Sequence, residues 1–531
     1  MLVNTCGMTG QRQTVSASGA GFPYPVRRRS GALCAALSAL LACPAGAAKW
    51  DIVPTLSIEE TYTDNVRLTA PGSERGDWVT TLNPGLAVRG SGDRLRLDFV
   101  YAPLFLHRAR EGSNDVIHQL NASATAEFIK RTLFLDVRST VSQQNISILG
   151  PQADSNINIT GNRESVRSTL ISPVLRHDFG LHAQGEARLS YSTVSTGSGT
   201  IALSDSQATG LDVKINSGPT SKLFTWNAAY SRQHIDYNEL QVQDIDTQRI
   251  TTGAKRLITP QVGLLANLGY EDNSYLTTGQ APKGAFWNVG SDWNPTPRTR
   301  FAATAGRNYD GSTASFDFSH CTRLTVWTAS YVQDITTTHT QILVPASEGT
   351  AGRVDGLYQC TIPDPVARQT AVSAFMDQNG PPPSFGAQVG FNVSVPYLVK
   401  RLQGSIGIRG VRNTMFANLF TQSREAKGPL DQPGAGDFEQ SARIKDSGAS
   451  VLWTSRLSAQ TAFYLNVGFT RNEFVATGFV DKQKFIRLGM TRQFHPRLSG
   501  TVSYHRIQND SSNNAAAYTE NAVSAALTVR F

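Results

Sequence analysis

Apolar residues recur at every second position from Trp50 to the end of the chain. In the first row Trp50, Ile52, Pro54, Leu56, Ile58 and Tyr62 alternate with Asp51, Val53, Thr55, Ser57, Glu59 and Thr61. This is the period of a β-strand with one apolar and one polar face. Such a strand runs about 40 Å from Trp50 to Tyr62, or ~28 Å along a membrane normal when tilted by about 45°. That covers the roughly 25 Å apolar band of a membrane barrel, with an aromatic residue at each edge. The row recurs as Leu95, Leu97, Phe99, Tyr101; as Leu181, Ala183, Ala187, Leu189, Tyr191; and as Phe224, Trp226, Ala228, Tyr230. Later rows are Val262, Leu264, Ala266, Leu268, Tyr270; Thr461, Phe463, Leu465, Val467, Phe469; and Val523, Ala525, Leu527, Val529, Phe531. Opposite faces carry Arg96 and Asp98, His182 and Arg188, Asn466 and Arg471, Ser524 and Arg530.

A longer period marks hairpins. Short turns with a basic, Pro or Gly residue precede apolar rows at Gly92-Asp93-Arg94, Lys130-Arg131-Thr132, Asp178-Phe179-Gly180, Thr220-Ser221-Lys222 and Thr259-Pro260. They continue at Thr296-Pro297-Arg298, Thr322-Arg323-Leu324, Lys400-Arg401-Leu402, Thr454-Ser455-Arg456 and His495-Pro496-Arg497. Longer polar segments lie between them, such as 144–162, 194–206 and 507–517. Short turns at one end and long loops at the other are the asymmetry of bacterial outer-membrane barrels, and ten turns joining eleven hairpins predict about 22 antiparallel strands, in a range of roughly 18–24. An even count places both termini at the short-turn, periplasmic end. The predicted girdle comprises Trp50, Tyr62, Tyr101, Tyr191, Tyr230, Tyr270, Tyr331 and Tyr504. The competing reading is a soluble β-helix, propeller or string of sandwiches, whose strands run shorter, at about 5–6 residues.

Composition agrees with strands in a bilayer. Charged residues make up 17% of the chain and hydrophobic residues 40%, and Ser, Thr, Asn, Gln and 45 glycines fill the gap. That balance excludes a helical membrane protein, a coiled coil and a highly charged disordered chain. Residues 1–47 read as a leader: Arg27-Arg28-Arg29, the apolar run Gly31–Cys43, and the small-residue site Ala45-Gly46-Ala47. The stretch before the arginines is long, so a start at Val26 is the alternative, and Leu40-Leu41-Ala42-Cys43 loosely resembles a lipoprotein cleavage box. Cleavage before Ala48 is expected, leaving one barrel domain over 48–531 with its first strand at the mature end and no plug domain. The leader holds four arginines and no acid, so 45 basic and 41 acidic residues remain and the charge falls from +8 to +4. That is no nucleic-acid footprint.

Three cysteines (Cys6, Cys34, Cys43) leave with the leader and two stay, Cys321 and Cys360. Cys321 adjoins a short turn and Cys360 a long outer loop, so the two are expected to stay apart unless that loop dives deep into the barrel. Phosphate-loop, zinc-protease, nucleophile-elbow and CxxC motifs are absent, and no cofactor, metal site or catalytic activity is expected. The segment 336–383 is the one irregular piece, read as a long extracellular loop. Folded inward it would set Arg353, Asp355, Asp364, Arg368 and Asp377 as a lumen constriction, where charge and diameter select. An outward-facing loop is the alternative.

The chain ends on Val523, Ala525, Leu527, Val529 and Phe531, a row that looks like the signal read by the outer-membrane assembly machinery. Trp50, Glu60-Thr61-Tyr62-Thr63-Asp64-Asn65-Val66, Thr296-Pro297-Arg298-Thr299, Trp327, Ser330-Tyr331 and Tyr518-x-Glu520-Asn521 resemble the PEP-CTERM system-associated outer-membrane β-barrel proteins. The resemblance implies a role in exopolysaccharide export or production, with lipid, polysaccharide and envelope export proteins as partners. Asp64-Asn65 also has a plain structural reading, the tight start of a loop after a strand. A monomeric conduit is the first expectation; a general diffusion porin and a structural or surface-display barrel with a shut lumen are the others.

Overall fold

The computed structural model describes residues 49–196, 205–238, 242–277, 279, 281–343, 350–379, 393–431, 434–512 and 516–531. The leader assigned to residues 1–47 lies outside them. Twenty-four strand segments form one antiparallel sheet, and the first, Lys49–Thr63, pairs with the last, Tyr518–Arg530. Leu95–Tyr101 and Leu104–Arg108 both pair with Asp77–Ser91 and make one stave, broken where Pro103 has no N–H to give. Asn114–Ile117 and Leu120–Ile129 are likewise one stave, each pairing with one half of its neighbour. The result is a closed all-β barrel of 22 antiparallel staves, each paired on both sides, so no sheet edge is left open.

Eight of the ten expected turns fall between staves, and Thr454-Ser455-Arg456 forms the last three residues of the strand Arg443–Arg456, directly before the turn 457–460. Lys400-Arg401-Leu402 marks no turn: it lies within the strand Tyr397–Arg409, and the turn is 410–412, closed by Gly410 N–H donating to Asn413 O at 2.7 Å. Leu402 faces outward in register with Tyr331, while Arg401 faces the lumen, its guanidinium 5.6 Å from the Phe420 ring. A basic residue before an apolar one marks a turn only when the basic side chain cannot reach a polar lumen, and here it does.

The alternation sorts the two faces as expected. Ile52, Leu189, Leu264 and Leu268 are more than half exposed on the outside. Tyr230, Ile250 and Tyr270 stand side by side across three strands. Gly90 stands opposite Trp50, where a Cβ would meet the indole at 2.7 Å, so glycine lets the ring lie flat across the strand. On the inner face, charges meet across strands: Arg188 with Asp136 at 3.0 Å and Arg249 with Glu271 at 3.1 Å.

The seam between first and last strands is clasped at the long-loop end. Thr63 Oγ1 donates to the fully buried Glu520 carboxylate at 2.7 Å. Asn521 donates from its backbone and side-chain nitrogens to the Asp64 carboxylate, both at 2.7 Å. Asn65 Nδ2 donates to Thr519 O at 3.0 Å, and its Oδ1 accepts from Thr69 N at 2.9 Å. Asp64-Asn65 therefore starts a loop, as its plain reading held, and closes the barrel as well. Asp64→Ala strands two donors, so we expect a loss of about 1–3 kcal/mol, read as a lower thermal midpoint in detergent. An unchanged midpoint would refute the clasp.

Candidate functional site

The described residues of 337–396 leave the wall between the strands Thr325–Thr336 and Tyr397–Arg409. The loop read as extracellular over 336–383 is, where described, three helices turned into the barrel: α1 (Thr338–Leu343), α2 (Thr350–Gln359) and α3 (Pro365–Asn379). The starts of α1 and α3 are written in the sequence. Thr337 Oγ1 accepts from Thr340 N at 3.2 Å before α1. Asp364 Oδ2 accepts from Ala367 N at 2.8 Å, with Pro365 in the first position of α3. Helical spacing brings Val354, Leu357 and Tyr358 onto one stripe of α2, and Val372, Phe375 and Met376 onto one of α3. These stripes pack on Phe416, Leu452 and Tyr464 of the lumen wall. A Cβ on Gly407 would sit 2.9 Å from Leu357 Cδ1, so this wall glycine admits the helix.

Three attachments fix the insert. Cys360, just past α2, is disulfide-bonded to Cys321 at the short-turn end of Gly311–Cys321, with Cα atoms 6.4 Å apart. The expected separation of the two cysteines is thus corrected. The strands around them stand as counted; it is the insert that dives through the barrel. Ser373 of α3 accepts from Arg89 at 3.0 Å. His339 of α1, 2% exposed, sits between Ser192 Oγ and Ser206 Oγ, each 2.8 Å away. Those serines lie on the seventh and eighth staves, the insert leaves the fifteenth, and it therefore crosses the lumen. Burial alone pushes the His339 imidazole down to about 4.

The five residues read as a constriction serve the insert itself, as far as they are described. Arg368 Nε donates to Asp355 Oδ1 at 2.8 Å and its Nη1 to Ile362 O at 3.0 Å, stapling α2 to α3. Asp364 caps α3. The side chains of Arg353 and Asp377 lie outside the description. Pairing of Asp355 with Arg368 leaves little net charge there for an ion to meet.

Sequence reasoning missed a second inward segment, 146–162. Arg487 Nε donates to Asp154 at 2.7 Å, Asn158 Nδ2 to Glu520 at 2.6 Å, and Tyr518 OH to Gln152 O at 2.6 Å. Asp437 accepts from Ile148 N at 3.0 Å and from Ser147, and burial pushes its carboxyl up to about 6. Only the Asn/Asp richness of 144–162 hinted at it.

All eight residues named for the girdle lie on outward rows. Trp50, Tyr62 and Tyr270 are exposed; Tyr101, Tyr191, Tyr230, Tyr331 and Tyr504 are half-buried against neighbours. Trp78, its ring 5.2 Å from that of Tyr62, and Trp287, Trp293 and Trp453 join the outward face, at the same period. Val523, Leu527 and Phe531 are exposed outward, with Ala525 and Val529 in the same row. The described residues that could hold a metal are His234, Asp236 and Asp244, with ligand atoms within 4.8 Å of one another at the long-loop rim.

No family model and no curated protein matches the chain. Among solved structures, the FrpB iron transporter from Neisseria meningitidis is similar over 91% of this chain and 82% of its own, at TM-score 0.50 and 10% identity. The siderophore receptor PirA from Pseudomonas aeruginosa matches over 90% and 80% at TM-score 0.44 and 9% identity. OccK8 (OprE) from Pseudomonas aeruginosa matches over 91% and 98% at TM-score 0.31 and 10% identity. The first of these shares the barrel fold.

Proposed function

We propose that the chain is an outer-membrane conduit held shut by its own helical insert, serving export or production of an extracellular polysaccharide in a PEP-CTERM-type system. The observation that carries this reading is the insert, which spans the lumen yet is tied to the wall at discrete points. A barrel built only for display has no need of so specific a closure. Beneath the insert the wall residue Asn466, in register with Leu452, is fully buried, and its side-chain amide bonds to no described residue. Such a polar wall suits water once the insert moves.

In this reading the outward aromatics meet the lipid interfaces and the row ending at Phe531 is read by the assembly machinery. The short turns and both termini face the periplasm once the leader is cut before Ala48. The insert stands in for a separate plug domain, and the barrel works as a monomer with no cofactor and no catalytic role. The second reading, a shut surface-display barrel, draws on the inward packing of 146–162. A general diffusion porin fits the filled lumen least.

Single-channel conductance in planar bilayers tests it. We expect silence from the intact protein and steady conductance after deletion of 340–380. Silence from both moves the assignment to display. Steady conductance from the intact protein would overturn the closed-conduit reading.

A further inference from the structure

Three short turns, 410–412, 457–460 and 496–497, meet the last strand around a cleft of about 440 Å³. Arg412, Arg456, Arg497 and Arg530 line it, and no carboxylate is among its lining residues. Arg456 and Arg530 fall on the inward rows of their strands, opposite in phase to the outward Trp453 and Phe531. Several wall arginines elsewhere are matched across strands, as in Arg188–Asp136, Arg249–Glu271 and Arg424–Asp446, and Arg487 is matched by Asp154 of the inward segment 146–162. Arg412, Arg456 and Arg497 make no ion pair with any described residue. Arg456 is held by donating to Val411 O.

Several unmatched guanidinium groups around one concavity repel one another and focus a positive potential into it. Their planar forks match carboxylate oxygens in pairs. The volume falls within the roughly 300–1,000 Å³ of small-ligand sites. Thr461, Thr491 and Gln493 stand beside the arginines and offer hydroxyl and amide groups to a hydroxyl-rich ligand.

We infer that this cleft is a binding site for carboxylate-bearing sugar units, receiving an acidic saccharide chain at the short-turn mouth of the barrel. The inference rests on the conduit reading and names the chemistry of its cargo. Phospholipid headgroups carry similar anions, but they meet the outward face of the staves, whereas Arg456 and Arg530 point inward.

Equilibrium dialysis of the full chain in detergent against tetragalacturonate tests the site without needing an open pore. Binding should weaken about tenfold or more in Arg456→Gln/Arg497→Gln, and neutral maltotetraose should not bind. Arg412→Gln, in an exposed turn, provides a milder variant should the double one misfold. Equal binding by wild type and variants, or by the neutral sugar, overturns the site. Loss of binding in phosphatidylglycerol nanodiscs but not phosphatidylcholine nanodiscs assigns the cleft to lipid headgroups and overturns it too. Tighter binding of poly-glutamate than of the uronate overturns it in favour of an acidic protein segment. Binding by a barrel that fails the conductance test leaves the site standing and the conduit fallen; conductance on deletion without uronate binding does the reverse.

Discussion

Exchanging both bridged cysteines for serine, Cys321→Ser/Cys360→Ser, should turn a silent barrel into one that opens in bursts. The cross-link joins residues separated by 39 positions. Cutting a loop of that length releases about 4 kcal/mol of restraint on the chain-entropy account. The insert is then held at that end by the packing of Val354, Leu357, Val372 and Phe375 on the wall. Adding Leu357→Ala and Phe375→Ala removes about 2–5 kcal/mol for each buried side chain, and should give sustained current. In the wall only Cys321, the last residue of its strand, is changed, so circular dichroism should show the barrel intact. Silence in the quadruple variant, with the barrel folded, would end the idea that the insert closes the lumen.

The second large effect is a pH response carried by His339. Docked between Ser192 and Ser206 it is neutral, with its pKa lowered to about 4 by burial; released, it returns to the ordinary imidazole value of 6.5. Its folded value is depressed, so docking has full strength above pH 6.5 and weakens as pH falls toward 4. A shift of this size corresponds to about 3 kcal/mol, or a roughly 300-fold change in the docking equilibrium. Open probability should rise across that window, most clearly in the serine double variant, where the tether no longer masks it. His339→Asn should flatten the profile by removing the titration. Opening that tracks pH equally in His339→Asn would assign the response elsewhere, with Asp437 the next group to examine. Its raised value of about 6 has the opposite sense: the contact of 146–162 with 436–439 is firmest at low pH and weakens as pH rises through 6.

The barrel was legible because a lipid-facing stave has one demand, an apolar residue at every second position, and short turns interrupt it at fixed points. The stave count survived two local failures of that signal. Pro103 breaks one strand without ending it, and Lys400-Arg401 imitates a turn inside another. The insert was legible only as an interruption. Its stripes, Val354–Leu357–Tyr358 and Val372–Phe375–Met376, are short and flanked by polar residues, so only their partners, Phe416, Leu452 and Tyr464, reveal what they bury against. Those partners sit on the inward phase, where polar residues are the rule. His339 could not be found from sequence either, because its meaning depends on two serines more than 130 positions away. The charges of 353–377 were the reverse case. They suggested a selective constriction, but Asp355 and Arg368 neutralise each other and Asp364 caps a helix.

The seam also governs how the barrel comes into being. Thr63 and Glu520, joined across it, are separated by 457 positions, nearly the whole length of the barrel. Contacts of such sequence separation form slowly, after the local hairpins. Until they form, Lys49–Thr63 and Tyr518–Arg530 are bare strand edges, each a template for pairing with another chain. A nascent barrel of this kind is therefore an open sheet for most of its assembly. The strand Tyr518–Arg530 is the one that decides whether it becomes a cylinder or an aggregate.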